Sequence, residues 1–237
     1  MLVKTRAIVI STLRYQEKSL VVKCFTQVAG LKSYFVHNAF STGKSSHKIA
    51  YFQPLNILEI EAVHKNKGTL ENFKEIKLAV PYNTINTDVV KSTIIMFLSE
   101  MLHHSIREEE KNEDLFSFLE TALHWLDTHD EIANFHLILL LETSKFLGFY
   151  PDVSEIASPY FEMTEGIFTQ YEAISCLSDH QTHLFKKLIE LRFGSDQKVF
   201  NGAERQVLLK ILLDYYSFHL DGFKKPKSLD VLKEVFS

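Results

Sequence analysis

The spacing of apolar residues changes near residue 80, and this change sets the organisation of the chain. Before that point, short apolar and β-branched segments are separated by polar turns, as expected for strands. After Pro81 the apolar residues recur every three or four positions, as expected for amphipathic helices. The sequence therefore predicts two domains, residues 1–80 and 81–237.

Five segments of the first domain have the composition of β-strands: 4–14, 19–27, 31–37, 54–63 and 69–78. A long polar loop around Gly43 separates the third segment from the fourth. Alternation is imperfect, as the run Ile8–Ile10 shows, so several strands are expected to bury both faces. Five short strands in one small domain suit a closed or partly closed barrel, and the OB-fold is the commonest candidate.

The second domain has helical periodicity with recognisable helix starts. Thr87 and Asp88 are cap candidates before the first apolar stripe, and Asn201 with Glu204 has the spacing of a capping box. Segment 158–170 is an exception, because apolar pairs on both sides of a turn predict a small hairpin. The predicted fold class is α+β with two domains, an OB-type barrel followed by an all-α domain with that inserted hairpin.

Charge is distributed unevenly about the same boundary. Residues 1–80 carry 12 Lys and Arg against 5 Asp and Glu, a balance of +7. Residues 81–237 carry 14 Lys and Arg against 25 Asp and Glu, a balance of −11. The two balances sum to the net charge of −4. A basic block on a small sheet points to a polyanionic partner, and a solvated basic face without a ligand is the alternative.

The candidate DNA-binding residues are barrel cations that would meet phosphates and tyrosines on which bases would stack. The cations are Lys4, Arg6, Arg14, Lys18, Lys32, Lys44 and Lys48, and the tyrosines are Tyr15, Tyr34 and Tyr51. Each tyrosine has an alternative role in packing the barrel or its rim. The loop that contains Lys44 and Lys48 is expected to close over a bound strand, and a loop without any contact is the alternative.

The motifs of phosphate-binding loops, dinucleotide folds and serine hydrolases do not occur, so the sequence does not predict an enzyme. His180 and His183 share a helical turn, but no further ligand has the spacing that zinc needs, and His136 is expected on a helix surface. No apolar run reaches the roughly 18 residues of a membrane span, and no signal segment is recognised. We therefore expect a cytoplasmic protein.

Several segments, taken in order, resemble the RecO family of recombination mediators. In the first domain they are Arg6–Ile10, Leu13–Ser19, Phe25–Thr26 with Gly30, and Phe52–Pro54 with the strand to Val63. In the second they are Phe135–Leu137 through Phe146–Asp152, the hairpin from Tyr160 to Gly166, Leu208–Leu220 and the tail Lys224–Ser228. Their order and spacing over nearly the whole chain carry the resemblance.

The resemblance implies an OB-fold, a helical C-terminal domain and a role in DNA repair without covalent chemistry. Members bind single- and double-stranded DNA, anneal complementary strands, and help to load RecA onto DNA coated by single-strand-binding protein. RecR and the acidic C-terminal tail of single-strand-binding protein are the implied protein partners, and a bacterial, nucleoid-associated location is implied as well. Many members bind zinc through cysteines flanking the hairpin, whereas here no cysteine follows Phe168 until Cys176. We therefore predict no cofactor, with packing through Tyr160, Phe161, Ile167 and Phe168 in place of zinc.

An acidic partner tail would need cations beside apolar groups in the helical domain. The candidates are Lys186, Lys187, Arg192 and Arg205, and solvation or a contact with a helix C-terminus is the alternative for each. A protein-interaction scaffold whose barrel binds a protein in place of DNA is the alternative function. A histidine-metal hydrolase is a further alternative, which metal analysis would test.

Overall fold

The computed structural model describes residues 1–40, 48–65, 70–107, 111–195 and 197–236. They form two compact units, Met1–Thr128 and His129–Ser237. The strands are β1 Leu2–Tyr15, β2 Ser19–Thr26, β3 Gly30–Val36, β4 Ile57–Val63, β5 Glu71–Leu78, β6 Tyr160–Glu162 and β7 Ile167–Thr169. The helices are α1 Lys48–Tyr51, α2 Val89–Ser105, α3 Glu113–Thr128, α4 Phe135–Phe146, α5 Asp179–Glu190, α6 Gly202–His219 and α7 Leu229–Val235, with a 3-10 turn at Gln197–Val199.

The first five strands close into a barrel in the order β1-β2-β3-β5-β4, which confirms the predicted OB-type barrel. The long strand β1 pairs antiparallel with both β2 and β4, and its register against β2 shifts between Val9 and Ser11. Such a bulge bends a strand, so that β1 can pair with β2 along one part and with β4 along the other. Strands β3 and β5 close the barrel with a short parallel pairing, Tyr34 with Glu71 and Phe35 with Asn72.

Strand β1 is buried on both faces over Ala7–Ile10, as its uninterrupted apolar run predicts. Ala7 and Val9 belong to the barrel core. Helix α2 packs on the same strand, where the Ser99 hydroxyl donates to the carbonyl of Ile10 at 2.7 Å. Two layers therefore cover this strand, the barrel interior and the helices that follow the barrel in the same unit.

A buried carboxylate ties the segment after β5 to the last turn of α3. Asp127 accepts hydrogen bonds from the backbone amides of Asn83, Thr84 and Ile85 at 2.8 to 3.1 Å. Burial alone would raise the pKa of this carboxyl, but those amides and the Thr84 hydroxyl outweigh it and hold the pKa below its ordinary value. Lys91, itself buried, donates to the same hydroxyl at 2.8 Å.

The second unit packs α4, α5 and α6 against one another and α5 against β6 of the β6–β7 hairpin, the small inserted hairpin that the sequence predicts. Phe161 lies with its ring centroid 4.7 Å from that of Phe185 and 5.8 Å from that of Tyr215. The turn requires Gly166, because its φ is 71° and a Cβ there would collide with the Tyr215 hydroxyl. The hairpin is therefore fastened to the helices by aromatic packing.

Two predicted helix starts are confirmed. The Asp88 side chain accepts from the amide of Lys91 at 2.9 Å at the start of α2. At the start of α6, Asn201 and Glu204 exchange side-chain to backbone bonds in a capping box. Over the part of the chain that the structure describes, no helix has both the length and the apolar character needed to cross a membrane.

Candidate nucleic-acid interface

The outer face of β1–β3 exposes apolar and aromatic side chains in adjacent rows. Leu13 pairs with Val21, which pairs with Phe35, and Tyr15 pairs with Ser19 one row farther along. Paired residues point to the same side of a sheet, so these side chains form one surface. Leu13 is 66% exposed and Tyr15 is 47% exposed, with the Tyr15 ring edge-on to Phe35 at 5.7 Å between centroids.

An aromatic groove continues this face at the closing seam between β3 and β5. It has a volume of about 190 Å³, and its lining includes Phe35, His37, Tyr51, Phe73 and Lys74. The two strands pair over only two residues there, which leaves the seam open beside α1. Phe35 belongs to both the outer face and the groove, so the two form one continuous surface.

Two predicted cations lie at the edge of this surface, in and before the β1–β2 turn. The Arg14 guanidinium lies 4.7 Å from the ring centroid of Phe40 and donates to the carbonyl of Glu17 at 3.0 Å. Lys18 is exposed, and its carbonyl accepts from the amide of Phe40 at 3.4 Å. Lys18 therefore lies in the turn that follows Tyr15. Arg14, between Leu13 and Tyr15 in β1, points to the opposite side of the strand and lies at the edge of the surface.

Tyr34 is a core residue, and its prediction as a base-stacking platform is corrected. Its side chain is fully buried in the barrel and stacks on Phe73 with 4.1 Å between ring centroids. Its hydroxyl lies 2.8 Å from Nε2 of His64, and burial raises the pKa of the phenol. A ring enclosed on both faces cannot receive a base, so the alternative role in packing is the one observed.

Lys4 and Arg6 face a different groove, and both have carboxylate partners. The Lys4 ammonium lies 3.2 Å from the Glu61 carboxylate, and the Arg6 guanidinium lies 2.6 Å from that of Glu120. This groove, about 310 Å³ in volume, also contains two further glutamates and a lysine. Its charge is mixed, so it attracts a polyanion less than the sequence suggested. We leave both residues out of the proposed interface.

Of the described cations predicted to bind DNA, Lys32 does not add to the aromatic surface. Lys32 is half-buried three positions before Phe35 in β3, which puts it on the opposite side of that strand. Burial lowers the pKa of His64, and Lys32 nearby acts in the same direction, against Glu71. Lys44 and the side chain of Lys48 lie outside the described residues, so their predicted role stays a prediction.

The cations predicted to hold an acidic partner tail mostly bond to the backbone of their own unit. Lys186 donates to the carbonyl of Ser158 at 2.7 Å. Arg192 donates to two carbonyls at the end of α5, and Arg205 donates to the carbonyl just before its helix at 2.6 Å. Lys187 is exposed on α5. The tail-binding role of all four stays a prediction.

The hairpin region offers a carboxylate network where the family resemblance implies zinc. Glu162, buried in β6, accepts from the amides of Thr164 and Glu165 and from the hydroxyls of Thr164 and Ser175. Burial would raise its pKa, but these donors outweigh that effect and hold the pKa below its ordinary value. Within the described ranges no three His, Cys, Asp or Glu side chains gather to hold a metal, so the residues present do not fit a zinc ion.

We expect Glu162→Gln to lower the melting temperature by several degrees, because an amide nitrogen would face donors that now have a carboxylate acceptor. Lost bonds to a charged acceptor cost about 2 kcal/mol, which in a protein of this size shifts melting by roughly 4–8 °C. Differential scanning fluorimetry measures the shift. Glu165→Gln, on an exposed side chain of the same turn, is the matched control and should melt like the wild type.

The same experiment tests the expected absence of zinc. Addition of a chelator should leave the melting curve unchanged, and elemental analysis should find no stoichiometric metal. A chelator-dependent loss of stability would contradict the prediction.

His136 is buried, which corrects its expected place on a helix surface. The residue is 2% exposed in α4, and its ring lies 5.0 Å from that of Phe236. Burial, together with Arg205, lowers its pKa to about 3, so the imidazole is neutral at ordinary pH. The sequence held a signal for this, because α4 is apolar around most of its circumference and such a helix is buried on nearly all sides.

The closed five-stranded barrel, followed by helices and a small hairpin, defines a protein with an N-terminal OB-type barrel and a helical region. The family models agree over almost the whole chain. Recombination protein O N terminal matches residues 1–82, and Recombination protein O C terminal matches residues 86–230. The chain belongs to the RecO family.

Curated relatives of the full length support the assignment. The chain is 72% identical over 237 residues to a protein of Flavobacterium johnsoniae and 70% identical over 238 residues to one of Flavobacterium psychrophilum. It is 38% identical over 242 residues to a protein of Bacteroides fragilis. Each match covers 100% of both chains, and each of these relatives is named DNA repair protein RecO.

Proposed function

We propose that this chain acts in DNA repair by binding DNA across the outer face of β1–β3 and into the aromatic groove. The observation that carries the proposal is the continuity of these two surfaces through Phe35. A base stacked on an aromatic ring gains about 1–3 kcal/mol regardless of its identity. Tyr15, Phe35 and Tyr51 are the rings positioned for such stacking.

Phosphates would follow the cations along the same path. Arg14 and Lys18 lie at one edge of the face, and Lys74 is exposed at the groove. Neutralised phosphates release counterions, which gives affinity without sequence preference. This arrangement supports binding of single strands and, through the same cations, of duplex backbones.

Annealing and mediation follow from binding without a covalent step. Two complementary strands repel each other, and a cationic surface that holds one of them lowers that repulsion. The family resemblance extends the proposal to loading of RecA together with RecR on DNA coated by single-strand-binding protein. The acidic tail of that protein would bind the helical region, and a nucleoid-associated location would follow from the DNA binding.

The affinity of the chain for labelled oligo-dT should fall steeply with salt. Each neutralised phosphate of a single strand contributes about −0.7 to the log–log slope, so the three cations of the proposed path give a slope of about −2. Fluorescence anisotropy at several salt concentrations measures it. Lys18→Ala with Lys74→Ala should flatten the slope by about 1.4, because two contacts are lost.

Lys210→Ala, on the exposed side of α6, is the control and should leave the slope unchanged. Absence of binding at low salt, or a shallow slope, would contradict DNA binding at this surface. That result would favour the alternative of a scaffold whose barrel binds a protein partner.

A further inference from the structure

The hairpin of the second unit and the loop after it lie in a long acidic stretch of sequence. Residues 152–185 contain no Lys or Arg, and their carboxylates are Asp152, Glu155, Glu162, Glu165, Glu172 and Asp179. All of these except Glu162 are exposed. No basic side chain within the stretch offsets this negative charge, and Lys186, which follows it, is half-buried over the Phe168 ring and donates to the carbonyl of Ser158.

Large apolar side chains are exposed within the same stretch. Ile174 is fully exposed, Tyr171 is 82% exposed, and Val153 and Ile167 are 43% and 40% exposed. Ile167 was predicted to pack inward with Tyr160, Phe161 and Phe168, but it is exposed, whereas Phe161 and Phe168 are buried and Tyr160 is half-buried. We call Val153, Ile167, Tyr171 and Ile174 with their acidic neighbours the hairpin surface.

Strand pairing places these residues on neighbouring segments of one small sheet. Ile167 pairs with Glu162 in β6 and bridges to Asp152 on its other side. Glu162 in turn bridges to Cys176, at the end of the loop that carries Tyr171 and Ile174. Adjacent strands lie about 4.8 Å apart, so the four segments fit within the footprint of a short bound peptide.

The loop is held at both ends, so its apolar side chains are kept outward. The Tyr171 amide donates to the Thr169 hydroxyl at 3.2 Å. Farther on, the Met163 amide donates to the carbonyl of Ser175 at 3.1 Å, and that of Leu177 donates to the carbonyl of Phe161 at 2.9 Å. A surface ordered before binding loses little conformational entropy when a partner arrives.

We infer that the hairpin surface binds a basic peptide segment of a partner protein that also carries apolar side chains. Tyr171 and Ile174 pack against the apolar groups, and exposed tyrosine is a common anchor of such interfaces. Glu165 and Glu172 meet Lys or Arg of the partner, and their charge repels a polyanion. The inference concerns the second unit alone and does not depend on DNA binding by the barrel.

The test uses the full chain and a fluorescein-labelled amphipathic peptide of lysine and leucine. Tyr171→Ser with Ile174→Ser should weaken peptide binding at least about tenfold, measured by anisotropy, because both anchors are removed. Glu165→Gln with Glu172→Gln should weaken it and flatten its salt dependence. Phe218→Ser, at an exposed aromatic of α6, is the matched control and should keep the wild-type Kd.

Hydrogen exchange on the wild type tests the location without any substitution. Added peptide should increase protection of the amides at 170–176, and protection confined to other segments would overturn the inference. Equal binding by the serine double variant, or equally tight binding of a glutamate and leucine peptide, would also overturn it. So would a wild-type dimer in sedimentation that the serine variant dissociates, because the surface would then belong to a second copy.

Discussion

Phe35→Leu with Tyr51→Leu should reduce the affinity for oligo-dT by at least about tenfold, the largest effect expected from any change in the proposed interface. Each stacked base contributes about 1–3 kcal/mol, and 1.4 kcal/mol is a factor of ten. Leucine keeps an apolar side chain against the barrel. The loss of affinity therefore measures the stacking of bases on the two aromatic rings. Anisotropy titration at low salt measures the change.

The substitutions are chosen to preserve the barrel, and leucine at position 51 keeps an apolar side chain where Tyr51 packs against the core. Phe73 also lines the groove, but it stacks on Tyr34 in the core and is left unchanged for that reason. Phe218→Leu, on the exposed side of α6, provides the matched control, and its affinity should equal that of the wild type. Unchanged affinity in the groove variant, with an unchanged melting curve, would remove the groove from the DNA path.

Asp127→Ala should produce the largest loss of stability, on the order of 3 kcal/mol, because several buried donors lose their acceptor together. The backbone amides of Asn83, Thr84 and Ile85 all point to this one carboxylate. Urea unfolding monitored by circular dichroism measures the loss. Asp88→Ala removes a single helix cap and should cost about 1 kcal/mol, which provides a graded comparison.

The contribution of Asp127 should also depend on pH in a defined direction. Its pKa in the folded chain lies below the ordinary value of 3.8, so folding favours the ionised form. The stabilisation is fully present above that ordinary value and is lost as the pH falls toward the folded pKa. The difference in stability between wild type and Asp127→Ala should therefore shrink below about pH 3.8, and a constant difference would contradict this account.

The sequence predicted the division into a barrel and a helical region because the period of apolar residues is a local property. Each strand or helix is recognisable from a few consecutive residues. The observed barrel strands begin and end within about three residues of the predicted segments. The caps at Asp88 and Asn201 were predictable for the same reason, since a cap and its donor lie three residues apart. The family resemblance is also carried by segments in linear order.

The tertiary structure alone decided which of the predicted residues are free to meet a ligand. Tyr34 and Tyr15 look alike in sequence, but the barrel closes around the first and leaves the second exposed. Arg6 meets Glu120, a residue more than a hundred positions away, and Phe35 becomes part of a groove only because β5 joins β3.

The sequence also did not predict that the carboxylates of Asp127 and Glu162 each accept several hydrogen bonds. The donors to Asp127 come from a segment more than forty residues away, and Ser175 reaches Glu162 from the loop after the hairpin, so the fold alone brings them together. Strand and helix formation depends on neighbours along the chain, whereas burial and pairing depend on residues that only the fold makes neighbours.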